Sequence, residues 1–171
     1  MSDSQVCSII EKLGLIRHPE GGWFRESYRA DGSVPLSGLP GRSGGDRPYS
    51  TAIYFLLNRG EVSRFHRILS DELWHFHAGT QLTIHILAPD GEYRSLAVGP
   101  DLSGDDSFQA VVPAGCWFGA EVTGVGAFTL VSCTVAPGFD FADFELADRD
   151  DLLRRYPEHG ELVRRLTPIG S

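Results

Sequence analysis

Histidine and carboxylate side chains crowd one stretch of the chain, Gly60 to Gly79, which reads GEVSRFHRILSDELWHFHAG. His66 stands six residues after Gly60, Glu72 six after His66, and Gly79 seven after Glu72. A neutral imidazole is matched to proton abstraction near neutral pH, and a carboxylate can fix its tautomer. With more histidines, the same residue types could hold a divalent metal. Strand alternation along Glu72-Leu73-Trp74-His75-Phe76-His77 puts Trp74 and Phe76 on the face of Glu72 and both histidines on the other. A β-bulge would exchange those faces. A carboxylate on an aromatic-rich inward strand is costly to bury unless paired or functional, so Glu72 is expected in a pocket.

The elements that must position these groups are mostly strands. Segments 50–57, 61–68, 72–78, 81–88, 93–98, 108–113, 116–122 and 127–136 are apolar and β-prone. Turn residues such as Asn58-Arg59-Gly60, Pro89-Asp90-Gly91 and Pro113-Ala114-Gly115 join them. Eight short strands with no helix between them imply an antiparallel sandwich or barrel, with its core at about 50–137. Before it, Val6, Ile9, Ile10 and Leu13 recur at helical spacing up to Gly14. HPEGG (His18 to Gly22) then reads as a hairpin entry, and Trp23 to Arg29 as a strand, so helix and strand occupy 3–29. From there Trp23 and Arg25 could cover a pocket mouth. Residues 30–48, rich in Gly, Pro, Ser and Arg, read as a mobile loop or lid. In APGFDFADFEL, Phe139, Phe141 and Phe144 are expected under the barrel, with Asp140, Asp143 and Glu145 solvated between them. Asp148 can cap a helix broken at Pro157, and helices fill 148–166.

Composition sets outer limits. A chain of 171 residues with 42% hydrophobic residues suits one folded domain, residues 1–171. Fifteen basic against 23 acidic residues leave a formal charge of −8, which argues against nucleic acid or an anionic membrane as partner. No run approaches the roughly 18 apolar residues of a membrane span. Cys7, Cys116 and Cys133 are odd in number and far apart, so reduced thiols and a cytoplasmic location are expected.

The run Gly60, His66, Glu72, Gly79 resembles the first motif of the cupin superfamily, G-x5-H-x-H-x3-4-E-x6-G, with Ile68 where a second histidine would stand. Pro113 and Gly115 match the second motif, P-x-G-x2-H, with Phe118 at its histidine. HPEGGWFRESYR, DELWHFHAG, VPAGCWFGAE and TVAPGFDFADFEL together resemble the fifth-type cupin domain family, whose members mostly lack an assigned function. The resemblance implies an all-β fold, a double-stranded β-helix (jelly roll) barrel with short N- and C-terminal helices. It also implies a homodimer, expected through the N-terminal strands.

A metal-binding cupin needs three or four protein ligands, and the aligned positions keep His66 and Glu72. A divalent metal would need His77 or His75 turned inward by a bulge, giving His66, Glu72 and His77 as the candidate set; no cofactor is firmly implied. The metal-free reading makes His66 a base and Glu72 its orienter. Sugar-nucleotide epimerases with cupin-like barrels pair such a histidine with a tyrosine acid, and Tyr54 is the candidate here. Arg25, Arg64 and Arg67 are candidates to receive a phosphate or carboxylate, with Arg29 beside them. Trp74, Trp117 and Phe118 are candidate pocket-lining residues. His75, His77 and His85 are expected at an interface or surface. The expected function is recognition of a small polar molecule, with epimerisation or isomerisation of a sugar or keto acid as the reaction. A non-catalytic binding protein and a metal-dependent oxygenase or isomerase are the alternatives.

Overall fold

The structure, a computed structural model, describes residues 3–39, 41–42 and 44–168. Helix α1 (Asp3–Leu13) leads into strands β1 (Ile16–Arg17), β2 (Trp23–Arg29) and the short β3 (Ser33–Val34) and β4 (Arg47–Pro48). The barrel strands follow: β5 (Thr51–Asn58), β6 (Val62–Arg67), β7 (Asp71–Gly79), β8 (Leu82–Leu87), β9 (Tyr93–Val98), β10 (Gln109–Val112), β11 (Trp117–Val122) and β12 (Phe128–Ala136). β13 (Glu145–Leu146), α2 (Arg149–Arg155) and α3 (Gly160–Leu166) end the chain. β1-β2-β5-β12-β7-β10 form one antiparallel sheet and β13-β6-β11-β8-β9 the other. The two sheets face each other as a jelly roll.

Three clusters explain why so many strand residues are apolar on both faces. Between the sheets lie Phe55, Trp74, Ile84, Ile86, Phe118 and Val131. Outside the five-stranded sheet, Phe65, Leu87 and Trp117 pack under Leu152, Tyr156, Val163 and Leu166 of the C-terminal helices. Outside the six-stranded sheet, Val6 of α1 meets Leu15, Leu56 and Phe128. Neighbours such as Trp117 and Phe118 therefore point to opposite cores, and β11 reads as continuously hydrophobic rather than alternating. The cap expected at Asp148 forms, its carboxylate accepting from the Asp151 N–H at 2.8 Å.

The described residues within 30–48 carry structure that the expected mobile loop or lid did not include. β3 pairs with β4, and Arg47, fully buried, and Arg42 both grip Asp143 at 2.7–3.0 Å. Arg42 also donates to the Leu69 carbonyl at 2.6 Å and to Ser70 Oγ. The segment is fastened to the 139–144 turn by ion pairs across about a hundred residues of sequence, which local composition does not register. Asp143, expected in solvent, is buried for the same reason.

Candidate active site

The two sheets enclose a cavity of 180 Å³ lined by His18, Glu20, His66, Glu72 and Cys133, with Phe24, Phe55, Ile68, Phe139, Phe141 and Phe144 among its apolar walls. Each strand brings its group inward by ordinary alternation: His66 from β6, Glu72 from β7, Cys133 from β12. Glu20 and His18 arrive differently, on the turn between β1 and β2. Gly21, at φ +109°, lies so close to β6 that a Cβ would run into the Val62 carbonyl oxygen. Gly22, at φ +70°, is pressed against Leu56 and Phe55 in the same way. The Arg64 N–H donates to the Glu20 carbonyl at 2.7 Å, fixing the turn on β6. Only glycines fit this approach, and it drives the Glu20 side chain into the barrel.

His66 and Glu20 form the central pair. The Nδ1–H of His66 donates to the Arg64 carbonyl at 2.7 Å, because a carbonyl can only accept. A neutral ring then has a bare Nε2, which lies 3.1 Å from Glu20 Oε2. One proton must sit between these two acceptors. Burial lowers the pKa of His66 and raises that of Glu20, so the neutral arrangement, Glu20 O–H donating to Nε2, is favoured. Ser63 Oγ donates to the other Glu20 oxygen at 2.8 Å, and Phe118 backs the His66 ring at 4.1 Å between centroids. His18, its pKa also lowered by burial, accepts from the Glu20 N–H at Nδ1, 3.3 Å away, and packs edge-on to Phe24 at 4.4 Å. Glu72 is pushed up to about 7, first by burial, with the neighbouring acidic Glu20 acting in the same sense and His66 and the Cys133 thiol opposing. Burial raises Cys133 well above an ordinary thiol, so it is a neutral donor and not a nucleophile.

Of the residues expected at the site, His66 and Glu72 lie on this wall. The direct partner of His66, however, is Glu20 and not Glu72. Tyr54 faces the opposite side of β5, its ring 6.1 Å from that of His77. Arg25 is on that outer side too, donating to the Leu13 carbonyl at 2.9 Å. Arg64 lines a separate groove with Arg17, Gly60 and Glu61. Arg67 pairs with Glu145 at 2.7 Å and lies over the Trp117 ring, outside the barrel. Trp117 is beneath the C-terminal helices, and Trp74 and Phe118 fill the core without lining the cavity. Trp23, expected near the mouth, sits on the outside under Arg17.

A bulge does occur in β7, where Leu130 pairs with Ala78 and Val131 with Phe76, leaving His77 as the extra residue. It does not turn the histidines in. His75 bonds Thr134 Oγ1 at 3.0 Å and His77 bonds Ser132 Oγ at 2.9 Å, both on the outer face. A ligand set of His66, Glu72 and His77 is therefore not assembled. At the expected histidine positions, Ile68 lines the cavity and Phe118 stands behind His66. Both ring nitrogens of His66 are already engaged, and no group of three or more His, Cys, Asp or Glu side chains among the described residues is disposed to hold a metal ion. The donor set does not fit a resident divalent metal.

A barrel of two such sheets, with its polar groups converging inside, defines the cupin class. Residues 7–147 match the family described as Cupin superfamily (DUF985), and the chain belongs to that family. It is 30% identical over 160 residues to the uncharacterized protein YML079W of Saccharomyces cerevisiae, covering 88% of this chain and 79% of that one. Protein SO0799 from Shewanella oneidensis superposes with a TM-score of 0.86 at 41% identity, over 99% of this chain and 100% of that one. A hypothetical protein from Leishmania major superposes at 0.85 with 34% identity, over 94% and 97%. Oxalate decarboxylase from Bacillus subtilis shares the fold alone, at 14% identity and a TM-score of 0.53 over 91% of this chain and 40% of that one.

Proposed function

We propose that the protein binds a small molecule in the barrel cavity and moves a proton on the carbon beside its carbonyl, as a metal-independent epimerase or isomerase. The buried His66–Glu20 pair supports this reading: it holds one proton between Nε2 and Oε2 and opens on the cavity that Glu72 also lines. A base works best with a pKa near the working pH, and Glu72 is pushed up to about 7. In this scheme Glu72 takes the carbon-bound proton while the His66–Glu20 proton goes to the carbonyl oxygen, giving an enol. Return of the proton from Glu72 to the neighbouring carbon completes an isomerisation without redox change, and epimerisation requires the enol to turn its other face to Glu72 before the proton returns. The keto-acid half of the expected substrate range loses support, because among the described residues lining the cavity the one arginine, Arg29, is paired with Glu26.

Solvent deuterium wash-in, followed by NMR over a panel of ketoses and aminoketones, tests the scheme. Wild type is expected to exchange a substrate, with a loss of about 10²-fold or more in His66→Ala and Glu72→Gln. No exchange above background in wild type leaves a non-catalytic binding protein, and equal exchange in His66→Ala removes the His66–Glu20 pair from the chemistry. We also propose a homodimer in the cytoplasm. Ile16 and Tyr28, exposed on β1 and β2, support the first, and three free cysteines the second. Among the described residues no helix is long and apolar enough to cross a membrane. Sedimentation at micromolar concentration tests the dimer, and a monomer there removes it.

A further inference from the structure

Charge on the cavity wall is one-sided. Among the described residues lining it, Glu20, Glu26, Glu72 and Asp140 are carboxylates and Arg29 is the single Arg or Lys. Arg29 is already engaged: it donates to Glu26 from Nε at 2.9 Å and from Nη2 at 2.7 Å, and to the Phe139 carbonyl at 3.3 Å. The remaining wall includes Phe24, Phe55, Phe139, Phe141 and Phe144 beside the aliphatic Ile53, Ile68 and Val135, and phenyl ring faces carry negative potential and attract cations. Deep in this setting the Glu72 carboxyl meets the Cys133 thiol, a weak donor, and its side chain makes no other hydrogen bond among the described residues. The acceptor thus faces the cavity with only that thiol bonded to it among the described residues.

We propose that the ligand of this cavity carries an organic ammonium group, seated against Glu72 between phenylalanine faces, on an otherwise uncharged body. This deepens the reading above by naming the substrate class, and it rests on the cavity as a ligand site but not on the proton transfer. An ammonium brings three donors to Glu72 and its neighbours. A phosphate or carboxylate would meet Glu72 and Asp140, with no arginine or lysine left to pair with it among the described lining residues, so sugar nucleotides and keto acids are disfavoured. Glu72 is faced by His66 on β6, Glu20 on the β1–β2 turn and Cys133 on β12, with His18, Glu26, Arg29 and Asp140 elsewhere on the wall. Because Glu72 holds its proton up to about 7, a cation must displace that proton. Binding of the cation therefore releases a proton and tightens as pH rises through that value.

Calorimetric titration with cyclohexylammonium, cyclohexanol and cyclohexanecarboxylate tests the charge preference on one carbon skeleton. At about pH 8 the ammonium is expected to bind about tenfold or more tightly than the alcohol, with the carboxylate weaker than both. The preference should shrink several-fold at about pH 6, and the heat should vary with buffer ionisation in the sense of proton release. Glu72→Gln should erase the preference while keeping the alcohol, which also shows that the variant is folded. Equal or tighter binding of the alcohol or carboxylate overturns the proposal. So does an unchanged preference in Glu72→Gln, or no binding by any probe up to about 20 mM. Should the ammonium bind as expected while no ketone exchanges deuterium, the proton-transfer scheme falls and the ligand class stands. Exchange of neutral ketoses without an ammonium preference means the reverse.

Discussion

Glu72 and Asp143 are both 8% exposed, yet their protons behave oppositely. Burial acts to raise both. At Asp143, bidentate contact from Arg47 and a third bond from Arg42 outweigh it, and the carboxyl is held below its ordinary range. At Glu72 the neighbours are a histidine, a thiol and a second carboxylate, and the carboxyl is pushed up to about 7. Burial by itself therefore does not say what a carboxylate is for. Asp143 is a fastener whose charge is fully matched, and it holds Phe141 and Phe144 over the cavity. Glu72 is unmatched, an arrangement that costs stability and leaves a group free to act on a ligand.

The largest effect that separates the two sites is expected at the fastener. Asp143→Ala takes from buried Arg47 and from Arg42 the carboxylate that both of them bond, and breaking a buried pair from one side costs about 3–5 kcal/mol. Urea denaturation at neutral pH measures it. Because the folded pKa of Asp143 lies below the unfolded value, its contribution is fully present above about 4 and fades as pH falls through the folded value. A loss below about 1 kcal/mol would mean the pairs act like surface ion pairs, and the contrast with Glu72 would collapse.

Glu72 should show the opposite sign. Its folded pKa is raised, so the folded state is favoured while the group is protonated, and stability is lost as pH climbs from 4.5 to about 7. Glu72→Gln removes the charge and keeps the shape. The variant is expected to match wild type at about pH 4 and to exceed it at about pH 8 by on the order of 2–3 kcal/mol. Thermal melts across that range read the difference directly. A variant less stable than wild type at pH 8 would show that the cavity solvates Glu72 well, and its unmatched state would no longer need a ligand to explain it.

The sequence made much of the fold legible and only half of the site. Strands such as Leu82–Leu87 and Phe128–Ala136 announce themselves because both faces are buried and the turns between them carry glycine and proline. His66 and Glu72 stand out because their spacing places them on consecutive strands, one in each of the two facing sheets. Glu20 and His18 did not, since HPEGG reads as an ordinary turn until Val62 and Leu56 are seen pressing on its glycines. The available signal was a carboxylate immediately before two glycines, a turn that can bend sharply against another strand. Arginine direction was equally hidden: nothing local distinguishes Arg47, sealed against Asp143, from Arg25 on the outer face. Those outcomes depend on partners tens of residues away, which periodicity does not encode.

The smallest effects should come from the outer face of the same sheet. Tyr54 and His77 stand on the strands that carry the cavity wall, one residue out of phase with inward neighbours such as Phe55 and Phe76. His77 keeps a single bond, to Ser132 Oγ, and its ring is exposed. Tyr54→Phe and His77→Ala are each expected to change stability by no more than about 0.5 kcal/mol and to leave deuterium wash-in and ammonium binding as they were. Loss of exchange in Tyr54→Phe would restore a tyrosine acid and require the sheet to present Tyr54 inward, against its pairing with Ser132 and its packing beside Leu56 and Phe128. A neutral result in both places the chemistry on one side of a sheet only about one residue thick, where the sense of alternation decides which residues can touch a ligand.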